Sequence, residues 1–176
     1  MVRPIPVLYV LSVLIVIFSL AMLVPLGVSF LYGDAARHAY YEAVLITFVS
    51  GATLWGVTRF SQAELQTRDG FLLVALVWTV LPAFATLPLL IYLPELNFTD
   101  AYFETVAALT TTGSTVLSGL DKLPPSINFW RCELQWLGGM GTIVLAVAVL
   151  PLLGIGGSQI MRTEIPGAMK DTKLTQ

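Results

Sequence analysis

From Val7 to Tyr32 the sequence carries no charged residue. That is about 26 positions, more than the roughly 20 an α-helix needs to cross the hydrocarbon core of a bilayer. A second apolar run, Tyr40 to Thr58, holds only Glu42, near one end, and a third, Phe71 to Leu93, holds no charge. A fourth extends from about Asn128 to Leu153, with Arg131 and Glu133 in its first turns at the membrane edge. Over the whole chain 56% of residues are hydrophobic and 11% charged, and the mean hydropathy is +0.82. Soluble domains carry about 25% charged residues. Such a chain cannot cover itself for water, and it is expected to be an all-α integral membrane protein in the lipid bilayer. The first run is too long for the apolar part of a secretory leader and has no small-x-small cleavage site. A net charge of −2 argues against nucleic acid as a partner. One cysteine, Cys132, and one histidine, His38, exclude an internal disulfide, a cysteine metal cluster and the usual histidine-based sites.

The segments between runs are short. Gly33 to His38 reads as a turn, with His38 an ordinary loop histidine. Arg59 to Gly70 reads as a solvent loop carrying Arg59 and Arg68. Pro25 is expected to kink the first run or end its regular part. Pro82 and Pro88 lie inside the third, where neighbouring helices can satisfy the freed backbone. Ser50, Gly51, Ala52, Thr53 and Gly56 give the second run small residues suited to close helix approach.

The unusual stretch lies between the third and fourth runs. Thr99 is placed to cap a helix, and Asp100 in its first turn suits the helix dipole. From Asp100 to about Thr110 gives some 11 residues, roughly 16 Å, half a bilayer. Its end, Val106-Ala107-Ala108-Leu109, is too apolar for a plain surface loop. A re-entrant half-helix fits, followed by Thr110-Thr111-Thr112-Gly113. The backbone there can turn carbonyls toward a cation, as potassium filters do, and Gly113 permits dihedrals that a Cβ penalises. No carboxylate lies in the segment, which favours a monovalent cation over calcium or magnesium. Val116 to Pro125 returns to the surface, and its double proline bars a continuous helix. Arg131 anchors the span or pairs with an acid near the half-helix: Asp100, Glu104 or Asp121. Gly138, Gly139 and Gly141 read as a close-packing face for the half-helix, or alternatively a hinge. Tyr102 and Thr105 read as packing residues and Cys132 as a passive thiol. The competing functional reading is a non-conducting membrane assembly subunit whose threonine-rich loop only packs. An enzyme is not expected, because no pair of ionisable residues sits mid-span.

These residues resemble a known family. Phe98-Thr99-Asp100-Ala101-Tyr102-Phe103-Glu104 followed by Thr110-Thr111-Thr112-Gly113-Ser114-Thr115 is similar to the first pore loop of Trk-type potassium uptake proteins, the TrkH/KtrB superfamily. The likeness continues through Phe129-Trp130-Arg131, Gln135 to Gly141, Ile155-Gly156-Gly157 and Arg162 to Gly167, and the two spans before Phe71 resemble the extra N-terminal pair of the TrkH branch. The resemblance implies a potassium-channel-like fold of span, re-entrant pore helix and span (M1-P-M2), four repeats around one pore. Residues 1–70 would be an N-terminal hairpin and cytoplasmic loop. Residues 71–157 would be the first repeat: 71–93 M1, 99–110 pore helix, 110–115 filter, 128–153 M2. Residues 158–176 would be a cytoplasmic linker to a second repeat. Thr110, Thr111, Thr112 and Gly113 would give one quarter of a potassium selectivity filter, with Thr111 and Thr112 as metal ligands. The implied partners are the remaining three pore repeats, a second copy in a homodimer and a cytosolic nucleotide-binding ring of TrkA type. The chain holds one repeat, so either it is the N-terminal portion of a longer protein, the favoured reading, or several copies assemble. With a cytoplasmic N-terminus, Arg3, Arg59, Arg68, Arg162, Lys170 and Lys173 lie inside and Arg37, Lys122 and Arg131 outside, which obeys the positive-inside rule in a bacterial inner membrane.

Overall fold

The computed structural model describes residues 4–60 and 67–152, and among them only helices, turns and extended segments occur. The expectations for Arg3, for residues 61–66 and for the tail from 153 onward lie outside the described residues. The helices are α1 (Pro4–Ala21), α2 (Leu23–Tyr32), α3 (Arg37–Thr58), α4 (Thr67–Ala85), α5 (Leu87–Tyr92), α6 (Phe98–Leu109) and α7 (Pro125–Leu152). Among the described residues three stretches are long and apolar enough to cross a membrane: Pro4–Tyr32, Arg37–Thr58 and Asp69–Tyr92. The 28 residues of α7 give it about 42 Å of helix.

The proline expectations hold locally. Pro25 has no N–H for the carbonyl four residues back, and the first run breaks at Met22 into α1 and α2. The bonds across the break are long, Met22 N to Phe18 O at 3.4 Å and Leu26 N to Met22 O at 3.3 Å. Pro82 stays inside α4, whereas the chain breaks at Thr86 just before Pro88. Ala85 O there receives no backbone donor, and the indole Nε1 of Trp130 donates to it at 3.1 Å.

α1 packs along α3, and the contact needs Gly51. A Cβ there would meet Val16 Cγ2 at 2.9 Å and Val16 N at 3.0 Å, whereas one at Gly56 would meet nothing within 4 Å. Where α2, α3, α5 and α7 converge, Met22, Tyr40, Leu89, Ile127, Trp130 and Leu134 are fully buried. Phe18 tilts against Trp130 with ring centroids 5.7 Å apart.

Four boundaries differ from the sequence reading. α3 starts at Arg37, so His38 lies in its first turn, 3.3 Å from Glu42 one turn on, rather than in a loop. α4 starts at Thr67, and Asp69 is fully buried, so the interhelical segment ends sooner than expected. α7 starts at Pro125, three residues before Asn128, because proline suits the first helical position, where its missing N–H is no loss. Asn97, not Thr99, caps α6: its backbone is extended and its side-chain oxygen accepts from Asp100 N at 2.8 Å. Thr99 is already inside the helix.

The turn between α2 and α3 has a distant task. The Asp34 carboxylate accepts from Ser126 N at 3.1 Å, from Ala36 N at 3.1 Å and from the Ser29 hydroxyl. Ser126 is in the first turn of α7, so Asp34 caps that helix from 92 residues away. Partial burial pushes the Asp34 carboxyl up, but the hydrogen bonds from Ser29, Ser126 and Ala36 outweigh it and hold it below the usual carboxylate range. Tyr40 reinforces the joint by donating to Ser126 O at 2.9 Å.

Candidate functional site

α6 is a helix of 12 residues, about 18 Å long. Ala101, Glu104, Thr105 and Ala108 fall at helical spacing on one face, and all four are buried. This face lies against α4 and α7. Tyr102 Oη donates to Thr79 O at 3.0 Å, and Thr105 Oγ1 to Pro82 O at 3.0 Å. The two residues expected only to pack therefore also tie α6 to the backbone of α4. On the other side Gly138 of α7 meets the last residue of α6. A Cβ on Gly138 would stand 1.7 Å from Leu109 O and 2.6 Å from Leu109 C. Gly139 and Gly141 have no such constraint: the nearest atom to a Cβ is Thr111 Cγ2 at 3.8 Å for the first, and nothing lies within 4 Å for the second. Of the three glycines proposed as a packing face, Gly138 alone requires the close approach.

The chain leaves α6 in a Schellman turn. Thr111 N donates to Ala108 O at 3.0 Å and Thr112 N to Ala107 O at 2.9 Å, with Gly113 N on the same oxygen at 3.2 Å. Glycine is usual at the left-handed position of this turn, but here it is Thr111, at φ 59°. A β-branched residue is a genuine outlier there, at a cost of about 1–3 kcal/mol. Gly113 is also left-handed, at φ 74°. A trans peptide holds its C=O opposite its N–H. With the amides of Thr111, Thr112 and Gly113 turned to the helix end, the carbonyls of Thr110, Thr111 and Thr112 face away from it. Among the described residues no donor reaches the carbonyls of Thr110 to Gly113. Thr110 Oγ1 donates to Val106 O at 2.8 Å and lies 2.9 Å from Thr112 Oγ1. The sequence-selected residues Thr110, Thr111, Thr112 and Gly113 thus form one exposed strand of irregular chain, with the carbonyls of Thr110 to Thr112 turned outward.

Behind that strand is an acid the sequence reading named only as one of three possible partners for Arg131. Glu104 is 1% exposed, and Arg131 Nε donates to its Oε1 at 2.6 Å. Of the three acids considered for Arg131, this is the partner. The same carboxylate accepts from Thr115 Oγ1 at 2.9 and 3.0 Å and from Val116 N at 3.1 Å. It therefore binds α6, α7 and the chain just beyond Gly113 together. Among the described residues no group of three or more His, Cys, Asp or Glu side chains could hold a metal ion.

The model of the TrkH family, described as a cation transport protein, matches residues 36–176. The chain belongs to the TrkH family. This is a family of membrane transport proteins, not of enzymes. A Trk system potassium uptake protein TrkH of Halomonas elongata is 49% identical over 170 residues, covering 96% of this chain and 35% of the relative. That of Vibrio parahaemolyticus is 51% identical over 167 residues, covering 94% and 34%. A crystal structure of the potassium transporter TrkH from Vibrio parahaemolyticus matches with TM-score 0.82 at 46% identity, covering 92% of this chain and 35% of that one. The chain spans about a third of the length of these TrkH relatives.

Proposed function

We propose that this chain supplies the first quarter of a potassium-conducting pore, as the first of four M1-P-M2 repeats. In this reading α4 and α5 are M1, α6 is the re-entrant pore helix, Thr110, Thr111, Thr112 and Gly113 are the filter, and α7 is M2. The observation that carries the reading is the row of carbonyls at Thr110 to Gly113 that no donor reaches among the described residues, held by two left-handed residues at the end of a half-length helix. A potassium ion loses its water shell only if oxygens replace it, and a ring of backbone carbonyls does this without the tight hold of carboxylates. The C-terminal end of α6 adds about half a negative charge at the strand. One strand offers a quarter of a ring, so three further repeats complete it, from the rest of a longer chain. The names of the relatives favour potassium as the transported ion. The remaining elements of the reading are a homodimer, a cytosolic nucleotide-binding ring of TrkA type on the inner face, and a bacterial inner membrane with the N-terminus in the cytoplasm.

The test is potassium uptake in potassium-starved cells lacking their own uptake systems. The chain alone and the complete reading frame are each expressed with and without Gly113→Ser. A serine at φ 74° strains the backbone that aligns the carbonyls. The expected result is rescue by the longer frame only, with Gly113→Ser lowering its preference for potassium over sodium. Absence of rescue by either, although both insert, would replace the filter by the assembly-subunit reading.

A further inference from the structure

The strand from Thr110 to Val116 is fastened at two places. Near its start, Ala107 O holds the amides of Thr112 and Gly113. At its end, the buried Glu104 carboxylate holds Thr115 Oγ1 and Val116 N. Thr115 Oγ1 also accepts from Leu117 N at 3.1 Å, so the hydroxyl is fixed on both sides. Glu104 is in turn fixed by Arg131, whose side chain is 14% exposed. Between the fastenings lies Ser114, which is exposed, and a Cβ on the adjacent Gly113 would touch nothing within 4 Å. A segment without packed neighbours keeps its shape only through its ends.

We infer that Glu104, set by Arg131, is a positioning residue for ion discrimination: through Thr115 and Val116 it fixes the spacing of the strand carbonyls and so selects potassium over sodium. The inference rests on the filter reading above and goes beyond it. Discrimination by carbonyls depends on their number and placement, and the outer end of this strand is placed by one carboxylate rather than by backbone pairing. The ion pair between α6 and α7 could serve folding alone, and the two roles separate chemically. Arginine cannot accept a hydrogen bond. Exchanging the charges, with Glu104→Arg and Arg131→Glu together, restores an ion pair between the helices but leaves Val116 N and Thr115 Oγ1 without their acceptor.

The experiment uses the complete reading frame, with membrane abundance and the potassium-to-sodium uptake ratio as separate readouts. The variants are Thr115→Val, Glu104→Gln, Arg131→Gln, the charge exchange and Gly113→Ser. Thr115 is exposed, so Thr115→Val is expected to insert normally while the uptake ratio falls about tenfold, the scale of one lost hydrogen bond to a charged group. The charge exchange is expected to regain the abundance lost in the single variants but not the ratio. Recovery of both by the exchange, or an unchanged ratio in Thr115→Val while Gly113→Ser lowers it, would overturn the positioning role and leave the filter reading standing. An unchanged ratio in Gly113→Ser would remove the filter reading and this inference with it.

Discussion

Gly138→Ala is the sharpest test of the packing around the strand. The added Cβ would stand 1.7 Å from Leu109 O, and ordinary contact begins at 3.4 Å, so the distance must double. The atom in the way is backbone, at the last turn of α6, and cannot swing aside as a side-chain tip would. The adjustment must be a separation of α7 from α6 by about 1.7 Å or a distortion of the turn leading to Thr111. Overpacking of this kind costs about 1–3 kcal/mol, occasionally more, and the rigidity of the obstacle puts this case at the upper end. Alanine's better helix propensity offsets about 1 kcal/mol at most. Gly141→Ala is the matched control, because nothing lies within 4 Å of its Cβ. Thermal unfolding of the purified protein in detergent, read by loss of the monodisperse peak after heating, should show Gly138→Ala clearly less stable than Gly141→Ala. Potassium uptake per inserted molecule should fall in the first and not in the second. Equal stability of the two alanine variants would refute the close approach.

Two other outcomes are expected. Asp34→Ala removes the carboxylate that caps α7 at Ser126 N and should cost about 0.5–2 kcal/mol at neutral pH. Because hydrogen bonds hold the Asp34 carboxyl below its unfolded value, its contribution is complete above about pH 3.9 and disappears as pH falls through the lower folded value. The parent should therefore lose more stability on acidification than the variant, and parallel curves would refute the cap. Asn97→Ala should cost about 1 kcal/mol through the N-cap of α6, whereas Thr99→Ala should cost much less; the reverse order in thermal unfolding would return the cap to Thr99.

The spans were legible because a bilayer imposes a length and excludes charge, and Val7 to Tyr32 and Phe71 to Leu93 meet both conditions without ambiguity. The short helix α6 was legible for the same reason in reverse, being apolar but too short to cross. The boundaries were less so. Asn97 and Thr99 are both good caps, and the choice is made by one extended backbone, φ −76° and ψ 161° at Asn97. The task of Asp34 could not be read, since its partner Ser126 is distant in sequence and becomes a neighbour only through the fold. Glu104 was named as one of three possible partners for Arg131, and the choice among them was readable. It shares the i, i+3, i+4, i+7 face of Ala101, Thr105 and Ala108, and an acid on the small-residue face of a half-helix must find a partner or remain uncharged. That pattern would have chosen it over Asp100 and Asp121 as the partner of Arg131.

The interrupted third span bears on the order in which the molecule can be assembled. Near the Pro88 break, Ala85 O accepts from Trp130, and Pro82 O, already bonded to Thr86 N, accepts also from Thr105, donors that lie on α7 and α6. Both are synthesised after α4 and α5. Until they arrive, Ala85 O has no backbone donor, and hydrocarbon offers it no water in exchange. The third span is therefore an unfinished element when it leaves the ribosome, best kept in the wet interior of the insertion machinery until α6 and α7 follow. A mutation at Trp130 would then be felt first as a fault of biogenesis in a helix 45 residues upstream.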